Sequence, residues 1–336
     1  MWLRRAVARS QPGYVSLKGG AVKQVLALSG GVGGAKLSLG LERVLPAGAL
    51  HVLVNTGDDF THLGLHISPD IDTVLYTLAG RANQAQGWGL EGESWNTMEA
   101  MALLDGETWF RLGDRDIATH LWRRSQLDAG QDLAAVTQDL ARRMGVKSHI
   151  YPMCRETVRT VVHTDEGDLP FQHYFVRRQC EPRVRSFEFE GLAAARPDPD
   201  VLALLASDDL GHIVVCPSNP FVSIDPVLQV PGMWQALRDH AAPVILVSPI
   251  VDGMAIKGPA AKMMAELRVP VTAAGVARHY AERYPDLVDH FLIDDSDAKL
   301  TDEINRLGLN AVCTATVMTT LEDKMRLART CLSLEM

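Results

Sequence analysis

The sequence predicts an α/β fold of the Rossmann-like, doubly wound kind: a mainly parallel sheet with a helical insertion and a small mid-chain antiparallel β extension. Three observations predict it. An apolar run, Val25–Leu28, enters a glycine-rich loop that opens an amphipathic helix. A second apolar run of strand length, His51–Val54, follows that helix. From Ile213 onward the rhythm returns, each apolar run breaking at once into a Ser/Pro/Gly loop.

The elements follow in order. Leu37, Leu39, Leu41 and Val44–Leu45 give the first helix its apolar face, and Pro46 and Gly48 close it. Ile71–Leu78 reads as a helix that starts after Ser68, Pro69 and Asp70. Residues 81–150 carry helical patterning with few strand signals. Val158–His163, Phe171–Val176 and Val184–Phe189 are β-branched and aromatic runs between Gly or Pro turns, which predicts the antiparallel extension. Ile213–Cys216, Val244–Val247 and Phe291–Ile293 continue the parallel sheet, and Leu321–Leu332 is a final helix. The organisation is then a core from 24–80 and 200–325, an insertion subdomain over 81–199, and a poorly ordered tail, 1–23. That tail holds Arg4, Arg5, Arg9, Lys18 and Lys23 and no acidic residue.

Composition narrows the function. With 336 residues, 47% of them apolar and 22% charged, the chain is neither disordered, collagenous nor a disulfide scaffold. A net charge of −8 argues against a nucleic-acid binder. The five cysteines form no CxxC pair, so no structural zinc site is readable, and their spacing fits a reducing cytoplasm. The apolar stretches are far short of the ~20 residues that span a bilayer. A cytoplasmic protein acting on a small molecule, with no membrane or nucleic-acid partner, is the expectation.

In such sheets ligands bind beyond the carboxyl ends of the strands, so the loops there carry the chemistry. Ser29–Lys36 contains Gly30, Gly31, Gly33 and Gly34, a backbone able to present N–H groups to an anion at a helix start. It is neither a P-loop, since Lys36 precedes Leu37 rather than a hydroxyl residue, nor a dinucleotide fingerprint, since Lys36 stands where the last glycine belongs. A phosphate cradle of another kind and a plain tight turn are the two readings. Asn55 and Thr56 end the second strand and lead into Asp58 and Asp59, with Asp70 and Asp72 close behind. Such clustered carboxylates suit Mg²⁺, although Asp58 and Asp59 also serve as turn residues and Asp70 as a helix cap. Arg115, in Gly113-Asp114-Arg115-Asp116, could fork onto a phosphate or pair with its acidic neighbours. Ser218, Asn219 and Ser223 lie in one proline-set loop, Ser248 begins another, and Lys257 adds charge on the same edge. No GxSxG elbow, HExxH or Cys–His pair is present, which leaves positioning and charge neutralisation, as in phosphoryl-type transfer.

Together these motifs resemble the 2-phospho-L-lactate transferase (CofD/FbiA) family of coenzyme F420 biosynthesis. The resemblance runs through Ser29–Leu37, Asn55–Asp59, Ile67–Leu78, Leu112–His120, Pro217–Ile224, Ser248–Gly253 and Lys257–Ala260, from about Val25 to about residue 325. It implies transfer of a 2-phospholactyl, phosphoenolpyruvyl or 3-phosphoglyceryl group from a guanosine diphosphate conjugate to the ribityl hydroxyl of the deazaflavin Fo, with release of GMP. It also implies Mg²⁺, held by Asp58, Asp59 and Asp70. The 29–36 and 217–224 loops would hold the guanosine diphosphate portion, and Asn55, Thr56, Ser248 and Lys257 would add substrate contacts. Asp72 and Arg115 would be catalytic, near Fo. Direct in-line transfer within a homodimer is the expected chemistry and assembly. Asp252-Gly253-Met254 departs from the glycine-rich variant usual in that loop, which bears on donor preference. The competing reading is a non-catalytic nucleotide-binding regulator of the YvcK type, which shares the glycine loop.

Overall fold

A computed structural model gives the fold and describes residues 23–255 and 258–335. The expected tail, apart from Lys23, lies outside the described residues, as does Lys257. Strand β1 (Gln24–Ser29) passes through helix α1 (Gly31–Val44) to β2 (Leu50–Val54). A short hairpin, β3 (Phe60–His62) and β4 (Leu65–Ile67), leads into α2 (Pro69–Leu78). Helices α3 (Asn96–Leu103), α4 (Asp114–Asp128) and α5 (Leu133–Met144) precede β5 (His149–Pro152). Strands β6 (Arg159–Thr164), β7 (Gly167–Pro170) and β8 (Val184–Glu190) form a separate antiparallel sheet with β6 in the middle. The chain continues through α6 (Pro199–Leu205), β9 (Leu210–Val215), α7 (Asp225–Gln229), α8 (Met233–Arg238) and β10 (Val244–Val247). After the small pair β11 (Ile250–Val251) and β12 (Met254–Ala255) come α9 (Ala260–Glu266) and α10 (Ala273–Arg283). Strand β13 (His290–Ile293), helix α11 (Thr301–Asn305), strand β14 (Asn310–Cys313) and helix α12 (Leu321–Leu332) complete it.

The main sheet has seven strands in the order β14-β13-β10-β9-β1-β2-β5, every neighbouring pair parallel. It is doubly wound, as the sequence predicts. In β1 the side chains alternate between two cores: Val25 and Ala27 join the layer with Leu37, Leu41 and Leu327, while Leu26 and Leu28 join the layer with Val227, Val276 and Phe291. Burial on both faces is why these strands read as unbroken apolar runs. The chain builds outward from β1 through β2 to β5, then returns past β1 to start β9 on its other side. The loops after β1 and β9 therefore flank the switch point, where open α/β sheets bind ligands.

Two expectations need correction. Phe171–Val176 is not a strand: β7 ends at Pro170, and His173–Arg177 forms a wide helical turn. Phe171 and Tyr174, three apart, are both buried, a spacing that puts them on one helical face. Strand β5, in the middle of the 81–199 stretch read as insertion, belongs to the main sheet, pairing with β2 from His51↔His149 to Val54↔Pro152. The inserted structure is thus split into helices before β5 and the antiparallel sheet after it.

Candidate active site

Gly31 holds φ +61°, a left-handed conformation that costs glycine little. That turn points its N–H at Asp70 Oδ1, 2.7 Å away, while the N–H of Gly30 donates to Ser218 Oγ at 3.1 Å. The loops after β1 and β9 are so close that a Cβ on Gly30 would stand 2.6 Å from Ser223 Cβ and 2.8 Å from Asp70 Oδ2. A Cβ on Gly33 would reach within 2.2 Å of the Pro217 carbonyl oxygen, and one on Gly34 within 2.6 Å of Ser218 Oγ. The first turn of α1 contains no acidic residue of its own; Asp70 from α2 already holds the Gly31 N–H, and the amides that follow keep the positive end of the helix dipole.

Below this loop lies a buried acid cluster. Asn55 organises it: Nδ2 donates to Asp70 Oδ2 at 3.0 Å and to the Val222 carbonyl at 3.2 Å, and Oδ1 accepts from the Gly57 N–H at 2.8 Å. Asp59 Oδ2 accepts from Ser68 Oγ at 2.7 Å and lies 3.1 Å from His66 Nε2. Ser68 begins α2 yet makes no side-chain cap; Pro69 at the first position, with Asp70 and Asp72 in the first turn, starts the helix instead. Burial pushes the Asp58 carboxyl well above the usual carboxylate range, and the charges of Asp70 and Asp59 add to the shift. Burial likewise raises Asp59, against its His66 and Ser68 hydrogen bonds, and raises Asp70 to about 6.

Asp58 Oδ1 and Asp59 Oδ1 are buried with no hydrogen-bond partner, as are the hydroxyls of Ser29, Thr56 and Thr160. Among the described residues no three His, Cys, Asp or Glu side chains stand where they could hold a metal by themselves. Mg²⁺ asks for less: one or two carboxylates, completed by substrate phosphate and water. The bare oxygens of Asp58 and Asp59, with Asp70 raising their repulsion, suit that donor set. A cation there would relieve the repulsion.

Asp72 faces a different partner. Both its oxygens are taken by Arg123, Oδ2 from Nη1 at 3.1 Å and Oδ1 from Nη2 in a shorter contact. The Arg123 side chain has no exposure, and it is the only arginine among the described residues that is buried. Burial opposes its charge, but the Asp72 carboxylate more than offsets this and holds the guanidinium above its ordinary value. Behind the pair, His120 Nδ1 lies 3.1 Å from Arg123 Nη1, His120 Nε2 lies 3.2 Å from Asp116 Oδ1, and Tyr76 donates to that same oxygen at 2.6 Å.

The structure thus gathers Gly30, Gly31, Gly33, Gly34, Asn55, Thr56, Ser218 and Ser223 around Asp58, Asp59 and Asp70, with Asp72 alongside in its ion pair. Other expected residues point elsewhere. Arg115 is exposed, and its Nη1 donates to the Glu91 carbonyl at 3.0 Å. Its acidic neighbours do not pair with it: Asp114 accepts from Ser94 Oγ and the Asn96 and Thr97 N–H groups at the start of α3, and Asp116 takes Tyr76. Lys36 Nζ donates to the Met318 carbonyl at 3.1 Å. Ser248 Oγ bonds within its own turn to Ile250, and Asn219 Oδ1 accepts from the Phe221 and Val222 N–H groups. A cavity of about 780 Å³, lined by Leu205, His212 and His240, lies at the amino ends of the strands and touches none of the cluster. Arg123, His66, Ser68 and Thr160 are the site residues that sequence reasoning missed.

The family model for 2-phospho-L-lactate transferase CofD matches residues 25–319. The chain belongs to that family. Among the relatives of this CofD-family protein, a phosphoenolpyruvate transferase of Streptomyces griseus is 38% identical over 316 residues, 93% of this chain and 98% of the relative. A 2-phospho-L-lactate transferase of Methanosarcina mazei is 36% identical over 304 residues, 90% of this chain and 98% of the relative. The fold is shared with a UPF0052-family protein of Bacillus halodurans, with a TM-score of 0.63 at 14% identity, covering 94% of this chain and all of the other. Among the described residues no helix is long and apolar enough to cross a membrane.

Proposed function

We propose that this CofD-family protein transfers a phospholactyl-type group from a guanosine diphosphate conjugate to the ribityl hydroxyl of the deazaflavin Fo, releasing GMP, within coenzyme F420 biosynthesis. The observation that carries the reading is the junction at the switch point. There the Gly30–Ser218 contact brings the amide-rich start of α1 beside buried carboxylates with bare oxygens. A diphosphate needs donors on one side and charge compensation on the other, and this junction brings the two together.

In the reaction the acceptor hydroxyl attacks the phosphorus that bears the organic acid, and the bond from that phosphorus to the GMP oxygen breaks. The first-turn amides of α1 that follow Gly31, whose own N–H is held by Asp70, would receive the diphosphate charge. The hydroxyl proton passes to a carboxylate of the cluster. Asp58 and Asp59 each keep an oxygen without a donor, whereas Asp72, gripped on both oxygens by Arg123, is held in one orientation and would accept a hydrogen bond from the acceptor hydroxyl rather than its proton. Mg²⁺, held by Asp58 and Asp59 beside Asp70, would neutralise charge on the phosphates. Positioning and charge compensation suffice, without a covalent enzyme intermediate.

The donor acid is the open specificity, since relatives named for phosphoenolpyruvate and for 2-phospho-L-lactate match at similar identity. The test mixes the protein, Mg²⁺ and Fo with lactyl-, enolpyruvyl- or glyceryl-diphosphoguanosine and weighs the deazaflavin product. One product formed with matching GMP is the expected result. No product with any of the three, despite nucleotide binding, would favour the non-catalytic regulator instead.

A further inference from the structure

We infer that Arg123 is a positioning residue for the transfer: by gripping both oxygens of Asp72 it fixes that carboxylate at the edge of the acid cluster and locks α2, the β3–β4 hairpin and α4 around it. The inference rests on the function proposed above. Its basis is geometric. Arg123 is entirely buried, binds Asp72 through two nitrogens, donates to the His66 carbonyl at 3.3 Å, and abuts His120 on its own helix. His66 also meets Asp59 through its side chain. A single guanidinium therefore connects Asp72 with the hairpin residue that touches Asp59.

Stability alone is a poor account of such a pair. Desolvating two charges costs about as much as their attraction returns, and well-packed apolar residues often replace buried pairs without loss. What an apolar pair cannot supply is a fixed carboxylate orientation and a positive charge near Asp72, Asp59 and Asp116. The planar fork of arginine holds both oxygens at once, whereas lysine offers a single point charge. Arg123→Lys therefore keeps the charge and releases the orientation.

The test is steady-state kinetics on the full chain with Mg²⁺, Fo and whichever guanosine diphosphate donor the wild type uses. Arg123→Lys, Asp72→Asn and their double variant are compared, with melting temperatures as a fold check. Arg123→Lys is expected to lower kcat roughly tenfold to a hundredfold, the size of loss found when the partner that orients a functional side chain is removed, with the donor KM within about twofold. Because Arg123 acts through Asp72, the double variant should be no slower than Asp72→Asn alone. A wild-type kcat in the folded Arg123→Lys protein, or losses that multiply in the double variant, would overturn the inference. So would a fall in melting temperature with kcat per folded molecule unchanged, the signature of a purely structural pair. Absence of turnover by the wild type with all three donors would overturn the proposed function, and the inference with it.

Discussion

The N–H of Gly30 donates to Ser218 Oγ at 3.1 Å, across 188 residues of sequence, and joins the loops on the two sides of the switch point. The contact needs a bare Cα. A methyl group on Gly30 would stand 2.6 Å from Ser223 Cβ and 2.8 Å from Asp70 Oδ2, both in the packed interior of the site.

Gly30→Ala is therefore expected to part the loops, costing about 1–3 kcal/mol, in line with overpacking elsewhere. It should also cut kcat/KM at least tenfold through the donor KM. Adding Ser223→Gly removes the closest clash and should recover part of both losses. Unfolding curves and donor titrations of the two proteins check this, and no recovery in the double variant would show that the Ser223 contact is not the obstacle.

Arg115 stands apart from the cluster, exposed and bonded to the Glu91 carbonyl. Arg115→Ala should leave stability within about 0.5 kcal/mol, the usual range for surface changes. If Arg115 meets the acceptor, the variant raises the Fo KM while leaving the donor KM unchanged. Equal KM values for Fo in the two proteins would remove it from the site.

The sequence made the sheet edge legible because strands buried on both faces read as apolar runs, and because glycine, serine and proline cluster where loops must approach closely. Arg123 was hidden. It adjoins Arg124, and nothing local separates them: Arg123 turns inward to Asp72, while Arg124 stays at the surface with Asp128. Only the packing of α4 beside the hairpin decides which arginine is buried. The Phe171–Val176 segment misled for a related reason. Its aromatic content suits a strand, but burial of Phe171 and Tyr174 on one face draws it into a helical turn. Strand β5 was missed because four residues, His149–Pro152, give too short an apolar signal beside three helices.

His51 supplies a pH dependence away from the site. Burial, then the charge of His149, pushes its pKa down from 6.5 to about 4. The folded state disfavours the charged ring, so its contribution to stability is present above about pH 6.5 and lost as pH falls toward 4. The difference in melting temperature between wild type and His51→Gln should accordingly shrink or reverse by a few degrees across that window. Raised carboxylates such as Asp70 act in both proteins and cancel in the difference. Parallel profiles would show that His51 does not carry the slope.

Asp58 joins stability to function most directly. Its carboxyl is raised by burial first and by Asp70 and Asp59 next, so its favourable contribution is present below the ordinary value of 3.8 and lost as pH rises through the higher folded value. Well above pH 3.8 the fold opposes ionisation of the buried Asp58 carboxyl, which costs stability whether the proton is held or lost, and Asp58→Asn removes that cost. The variant should melt a few degrees higher at pH 8, with the gain fading toward pH 4. Mg²⁺ should raise the wild-type melting temperature, because an ion that binds only the folded state stabilises it, and should raise that of the variant much less. Turnover should fall about a hundredfold or more in the same protein, a stability gain made at the expense of activity. Thermal melts at both pH values, with Mg²⁺ and with a chelator, decide the matter. An equal Mg²⁺ response in both proteins would place the cation away from Asp58.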